Sequence, residues 1–305
     1  HIPHRLVSHP RKSPRIVFDT SMKTRGVCLN DMMHTGPDLL QNLVGVFVRF
    51  RRYAIPISCD IQAFYLSVHL PKSDCDFFRF YWYLNPEDRN SPIVQYRFKV
   101  HIFGGNASQA CCVHAMNSVI DRGIQDRIIS EIEAENIKKS FYADDCLRSF
   151  DNVEQAAFTM EKLTKLLDAY GFTLTKFTSS STEFLSRVPK GLRHPTVSDL
   201  NLHDQTTSVL GVNWHLSTDE FSISQAQDLD KPIEEPYTKR GLLSRLMSVF
   251  DPIGAVGFAT VPGKLILQSA FRAGYDWDRV LPEEMQQQIQ VWVKNLERLS
   301  EVRFP

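Results

Sequence analysis

At 305 residues, with 43% hydrophobic, 11% aromatic and 23% charged side chains, the chain can form two or three packed units and lacks the composition of a disordered or membrane-spanning protein. Its longest apolar run, over 43–48, is stopped by Arg49 well short of the roughly 18 residues a bilayer crossing needs. Thirty-five basic residues balance 35 acidic ones, yet residues 1–52 hold nine Lys/Arg against three Asp/Glu and residues 219–305 hold ten against thirteen; this asymmetry suits a polyanion held at one end, or simply a solvated basic face.

In chain order, apolar residues at 39, 40, 43, 46, 47 and 50 have the period of a buried helical face. The run 55–60 predicts a short strand with Asp60 at its tip. Alternation over 78–83 and again over 96–100 predicts a hairpin around the Asn/Pro/Ser-rich stretch 85–92. A helix is expected from Ser108 to about Arg122, then strands over 140–143 and 146–150 with Asp144 and Asp145 at the turn between them. Asp151 followed by Glu154 looks like a capping box, and Val153, Ala157, Met160, Leu163, Leu167 and Tyr170 extend a helical stripe that Gly171 can close. The Ser/Thr-rich span 178–208 is read as loop and boundary, and a strand returns over 209–214. Helices follow from Thr238, around 263–273 and over 283–300, with Asp251-Pro252 as the break. Six cysteines without C-x-x-C spacing point to reduced thiols and away from a zinc knuckle or redox motif. Nothing at the start has the pattern of a secretory leader, and the chain is expected to be a soluble, intracellular piece of something longer.

The three acids carry the chemistry. Template-directed nucleotide transfer uses two divalent ions about 4 Å apart, held by carboxylates converging from separate strands. A lone Asp-Asp turn is usually a solvated loop. Here Phe141-Tyr142 and Cys146-Leu147 place the adjacent charges between buried strand segments, where a cation is needed to offset their repulsion.

Phe141-Tyr142-Ala143-Asp144-Asp145 resembles the aromatic-x-Asp-Asp signature of reverse transcriptases, and residues 60–65, Asp-Ile-Gln-Ala-Phe-Tyr, resemble the earlier palm motif with the first catalytic acid. Leu29-Asn30-Asp31, Thr35-Gly36-Pro37-Asp38, His101-Ile102-Phe103-Gly104, Phe250-Asp251-Pro252 and Asp276-Trp277-Asp278 are similar to the Pol polyprotein of BEL/Pao-type LTR retrotransposons. The resemblance covers essentially the whole chain. It implies an α+β right-hand polymerase, with fingers and palm over 1–215 and a thumb-like or connection region over 216–305, part of which resembles a segment labelled Pao retrotransposon peptidase. Asp19-Thr20-Ser21 lacks the glycine of an aspartic-protease motif, so peptidase activity is not carried over.

By the same resemblance Asp60 and Asp144 would ligate two Mg2+ ions, for which Mn2+ can substitute, with Asp145 supporting the primer side. Arg15 would contact the phosphates of the incoming nucleotide, with Lys12 and Arg11 as nearby candidates. Ile61, Ala63 and Phe64 would line the nucleotide site, the last two through backbone N–H groups, and Tyr65 would be the aromatic gate that excludes a ribose 2′-hydroxyl. Phe103 and Gly104 would belong to the loop before the helix facing template and incoming base, where Gln109 replaces an expected proline. Lys176 would protonate the departing pyrophosphate. Leu210, Gly211 and Trp214 would form a primer-grip hairpin, with Trp214 as plain core the alternative.

The function implied is RNA-directed DNA polymerisation on an RNA or DNA template with a primer and dNTPs, beside other Pol regions of a parent polyprotein, without a membrane partner, in cytoplasmic retrotransposon particles. The alternatives are a catalytically impaired nucleic-acid-binding Pol fragment, and an RNA polymerase, which Tyr65 disfavours.

Overall fold

The computed structural model describes residues 1–9, 12–223 and 236–305; Arg11 and the side chain of Lys12, both candidate phosphate contacts, lie outside the described part. The fold is built on a four-stranded antiparallel sheet. Ile55–Ile61 (β3) is central, flanked by Asp145–Phe150 (β7) and Leu174–Ser179 (β8), with the two-residue Phe141–Tyr142 (β6) outside β7. Ile57, Leu147 and Leu174 are fully buried. The helices Leu43–Phe50 (α1), Ser108–Gln125 (α2), Glu131–Lys138 (α3) and Val153–Asp168 (α4) complete this core through Phe50, Met116, Ile120, Ile137, Leu163 and Leu167. Gly123 permits the close approach of α2 and α4, since a Cβ there would stand 2.7 Å from Leu166 Cδ2.

Two hairpins lie outside this sheet: His4–His9 (β1) with Lys12–Phe18 (β2), and Arg79–Tyr83 (β4) with Ile93–Arg97 (β5). Phe18 packs edge-on against Phe80 and Phe98, joining the two. A three-stranded sheet, Thr206–Val209 (β9), Val212–His215 (β10) and Glu220–Ile223 (β11), follows. Leu210 and Gly211, both at positive φ (48° and 85°), make the tight turn between β9 and β10. The sheet β9–β11 spans the division drawn at 215/216, and Phe221 on β11 belongs to the larger core. A smaller core begins at Ile223 and is formed mainly by Lys239–Ser248 (α6), Gly257–Arg272 (α7) and Glu283–Glu297 (α8), with Leu242, Leu246, Ile289 and Trp292 inside. No helix among the described residues is long and apolar enough to cross a membrane.

Several boundaries differ from the sequence reading, each for a local reason. The first helix starts at Leu43 and not at 39, because the Asn42 side chain accepts from Gly45 N–H and fixes the entry there. The cap of α4 is Asn152, one residue after Asp151, and it accepts from Gln155 N–H. Residues 178–208 are not all loop. The end of β8 reaches Ser179 and a further helix, Thr182–Arg187 (α5), starts from a Ser181 cap, so part of the serine richness is helix capping. The second hairpin pairs from Ile93, earlier than the alternation over 96–100 suggests, and α7 begins at Gly257 ahead of 263. The helix α3 was not anticipated, although its Ser130/Glu133 capping box is visible in the sequence.

Candidate active site

Three carboxylates meet at one end of the four-stranded sheet because of strand register. Asp60 on β3 lies directly opposite Asp145 on β7, and opposite residues of neighbouring strands project to the same face. Asp144 occupies the two-residue tip between β6 and β7, with Ala143 before it at φ 54°. Ile61 N–H donates to the Asp144 carbonyl at 2.9 Å, which ties the tip to β3.

Lys176 reaches the same place through a backbone irregularity. Ser58 pairs with Thr178 but Asp60 pairs with Thr175, so β8 carries one extra residue opposite Cys59. Within this bulge Lys176 sits at φ 55°, and its Nζ lies 2.5 Å from Asp60 Oδ2. A bulge re-aims a side chain that regular pleating would direct elsewhere. The Lys176 side chain is 57% exposed, so the ion pair is solvated on one side and open to exchange.

Burial, then the charges of Asp144 and Asp60, push the Asp145 carboxyl up to about 7. Asp144 is raised in the same sense, chiefly by burial and further by Asp60, whereas Lys176 opposes both shifts. Among the described residues no three His, Cys, Asp or Glu side chains form a closed ligand cage, consistent with Asp60 being turned onto Lys176. The acids nonetheless fit divalent ions: they are hard oxygen donors, partly desolvated, mutually repelling, and already attract a cationic ammonium.

This arrangement has a pH signature in chelator. Asp145 holds its proton to about 7 in the folded chain and releases it near the ordinary value of 3.8 once unfolded. Between those limits the unfolded state binds fewer protons, so stability must fall as pH rises and level off above about 7, by roughly 1 to 4 kcal/mol. His101, His194 and His215, each depressed mainly by burial, act in the opposite direction near pH 6. Melting temperatures of wild type and Asp145→Asn in EDTA from pH 4.5 to 7.5 should therefore converge at low pH, with the variant the more stable at high pH. Parallel curves would show that burial and the neighbouring charges do not raise Asp145.

Tyr65 lies beside the acids, on the short 3-10 turn Phe64–Ser67 that follows Ala63 at φ 52°. Its ring packs edge-on against Phe103 at 4.6 Å, and its hydroxyl donates to Gln109 Oε1. Burial, then the charge of Asp144, raises its phenol pKa. Gln109, the residue standing where proline was expected, thus anchors the ring, and its Nε2 is buried without a partner. Phe103 is exposed, and Gly104 at φ 88° is held by Thr20 Oγ1 and Asn30 Nδ2 donating to its carbonyl. The backbone N–H groups of Ala63 and Phe64 stand at the start of a helical turn, with no carbonyl of that turn to bond.

Other expected site residues are placed differently. Trp214 is completely buried, packs edge-on on Phe50 and donates Nε1–H to Asp219 Oδ1 at 2.8 Å, so it cannot touch a primer. Only the Leu210-Gly211 turn of that hairpin remains available. The Ile61 side chain is buried and its N–H is taken by Asp144, which removes it as a nucleotide contact. The Phe64 ring is also core. Arg15 is exposed on β2, opposite Val7, with no ion pair among the described residues.

The fold and these acids define a mixed α/β protein with antiparallel sheets and a carboxylate trio at one sheet end. The solved foamy viral protease-reverse transcriptase has this fold: the form labelled dRH, in complex with double-stranded DNA, superposes with a TM-score of 0.62 at 16% identity, over 97% of this chain and 44% of that one. The foamy viral protease-reverse transcriptase in complex with an RNA/DNA hybrid superposes with a TM-score of 0.56 at 16% identity, over 97% and 33%. The chain therefore spans less than half the length of either. Residues 238–305, the helical part, match the family described as Pao retrotransposon-like RNaseH-like domain. No curated protein matches the chain.

Proposed function

We propose that the chain is the polymerase core of a retroelement Pol polyprotein, an RNA-directed DNA polymerase of the BEL/Pao type. The observation that carries this reading is the cross-strand register of Asp60 with Asp145, with Asp144 at the adjoining tip and Lys176 on Asp60. Residues 1–215 would serve as fingers and palm, and 216–305 as the thumb-like region. The likeness in fold to the foamy viral protease-reverse transcriptase and the match of 238–305 to a Pao retrotransposon-like RNaseH-like domain support the coarser part of this reading, a retroelement Pol protein.

In this reading the reaction is attack of a primer 3′-hydroxyl on the α-phosphorus of a dNTP, with pyrophosphate leaving. Two Mg2+ ions, when bound, would activate the hydroxyl and neutralise developing charge on the phosphates. Asp60, Asp144 and Asp145 would hold them by carboxylate oxygens, which requires Asp60 to release Lys176. The freed ammonium could then donate a proton to the departing pyrophosphate. Ala63 and Phe64 N–H groups would receive triphosphate oxygens, and Tyr65 would close the space beneath the sugar. Primed RNA or DNA would be the template, in particles in the cytoplasm.

Extension of a DNA primer on an RNA template in Mg2+ or Mn2+ tests the proposal. Template binding without extension in either ion would instead favour the catalytically impaired fragment. Arg15→Ala offers a narrower check. A phosphate contact carries no base information, so KM should rise by a similar factor, on the order of tenfold, for all four dNTPs. A defect confined to one base would contradict this role.

A further inference from the structure

On β7, Cys146, Arg148 and Phe150 alternate toward the helix-covered face of the sheet, opposite to the face bearing Asp145. Cys146 and Phe150 are buried there as expected. Arg148 is the anomaly: a guanidinium stacked 5.0 Å from the Phe150 ring centroid, its Nη1 buried without a hydrogen-bond partner, in no ion pair among the described residues. Beside it is a cavity of about 240 Å³ between the end of α1, α3, the first turns of α4 and the outer edge of β7. The strand β6 pairs β7 through Asp145 and Cys146, and Leu147 N–H donates to the Ser140 carbonyl, so the edge from Arg148 onward faces the cavity.

Two more guanidiniums line it. Arg49 commits Nε and Nη2 to the Lys139 carbonyl, and Arg52 lies over the Tyr53 ring without a carboxylate partner among the described residues. Among the described residues no acid of the lining contacts these guanidiniums, although the charge of Glu133 acts on Arg148 from a distance. Glu133 is taken by Lys162 at 3.0 Å and by Ser130, and Asp151 is exposed at the mouth. A partly buried cation that no carboxylate contacts is costly, and a multi-oxygen anion suits guanidinium donors better than a halide does.

We propose that this cavity is an oxyanion site that takes a phosphate group, free or as the end of a nucleotide, on Arg148 and Arg52, separate from the carboxylate trio. Melting of the whole chain in EDTA, which removes metal-mediated binding at the trio, tests it with inorganic phosphate, a nucleoside 5′-monophosphate, and chloride at equal ionic strength. Phosphate should raise the melting temperature saturably by roughly 3 to 6 °C, and chloride should not. Tighter binding of the nucleotide assigns the site to a nucleotide end, and equal binding assigns it to free phosphate. Arg148→Met should melt higher than wild type without phosphate, because it removes a partly buried guanidinium whose Nη1 has no partner, and should not respond to phosphate. A merely structural arginine would give a variant that melts lower. Arg52→Gln, at a more open position, should weaken phosphate affinity several-fold and decides the matter if Arg148→Met does not fold. No saturable response, a response undiminished in Arg148→Met, or unchanged affinity in Arg52→Gln would overturn the site.

Discussion

Asp144→Asn is expected to reduce primer extension by about 10³-fold or more while leaving the chain folded and able to bind duplex. The substitution keeps volume and keeps the backbone carbonyl that accepts from Ile61 N–H at 2.9 Å, so the tip between β6 and β7 stays tied to β3. It removes one of three carboxylates that repel one another, so the melting temperature in chelator should be unchanged or slightly higher. Extension is thus lost without any loss of stability, which a structural defect cannot reproduce. Measurement requires single-turnover extension in Mg2+ beside melting in EDTA. Activity within about tenfold of wild type, or roughly 1.4 kcal/mol in the barrier, would be too small a loss for a shared metal ligand.

The second large effect concerns sugar selection at Tyr65. Tyr65→Ala should raise ribonucleotide relative to deoxynucleotide kcat/KM by about 10²-fold, since a packed ring excludes a hydroxyl by overlap worth on the order of 1 to 3 kcal/mol. Tyr65 is half-buried, wedged edge-on against Phe103 and hydrogen-bonded to Gln109, so its ring is held in one orientation. Tyr65→Phe should therefore keep the discrimination. It would leave the Gln109 amide with neither its oxygen nor its buried nitrogen satisfied, at a cost of about 1 to 3 kcal/mol in stability. If Tyr65 served only as core, Tyr65→Ala would depress both activities and the melting temperature together, with the rNTP-to-dNTP ratio unmoved. That ratio in a folded variant decides between the two.

Much of the candidate site was legible beforehand because its signals are local. Asp60 at the end of an apolar run and Asp144-Asp145 between two short apolar segments need only strand periodicity to be placed at strand ends. The positions of α2 and α4 follow from apolar spacing in the same way, whereas the single strand read over 209–214 is broken by the turn at Leu210 and Gly211 into β9 and β10. Errors arose where one residue type serves two purposes. Serine at 181 caps a helix where composition suggested loop, and Trp214 looks the same in sequence whether it faces a primer or, as found, donates to Asp219 beneath Phe50.

What the chain's own sequence determined is the set of elements and the acids at their ends, since helix caps, alternation and turn residues act over a few neighbours. The tertiary structure decided which ends meet. Asp60 and Asp145 are 85 residues apart and become partners only through the register of β3 on β7, which the buried faces of both strands fix together. Lys176 reaches Asp60 only because β8 carries an extra residue, and Gln109 reaches Tyr65 only because α2 packs beside the turn after β3. Arg148 reads in sequence as one more basic residue. Its unpartnered Nη1 is a property of the tertiary structure, which arises when α1, α3 and α4 close over the edge of β7 and bury that nitrogen where no carboxylate among the described residues contacts it.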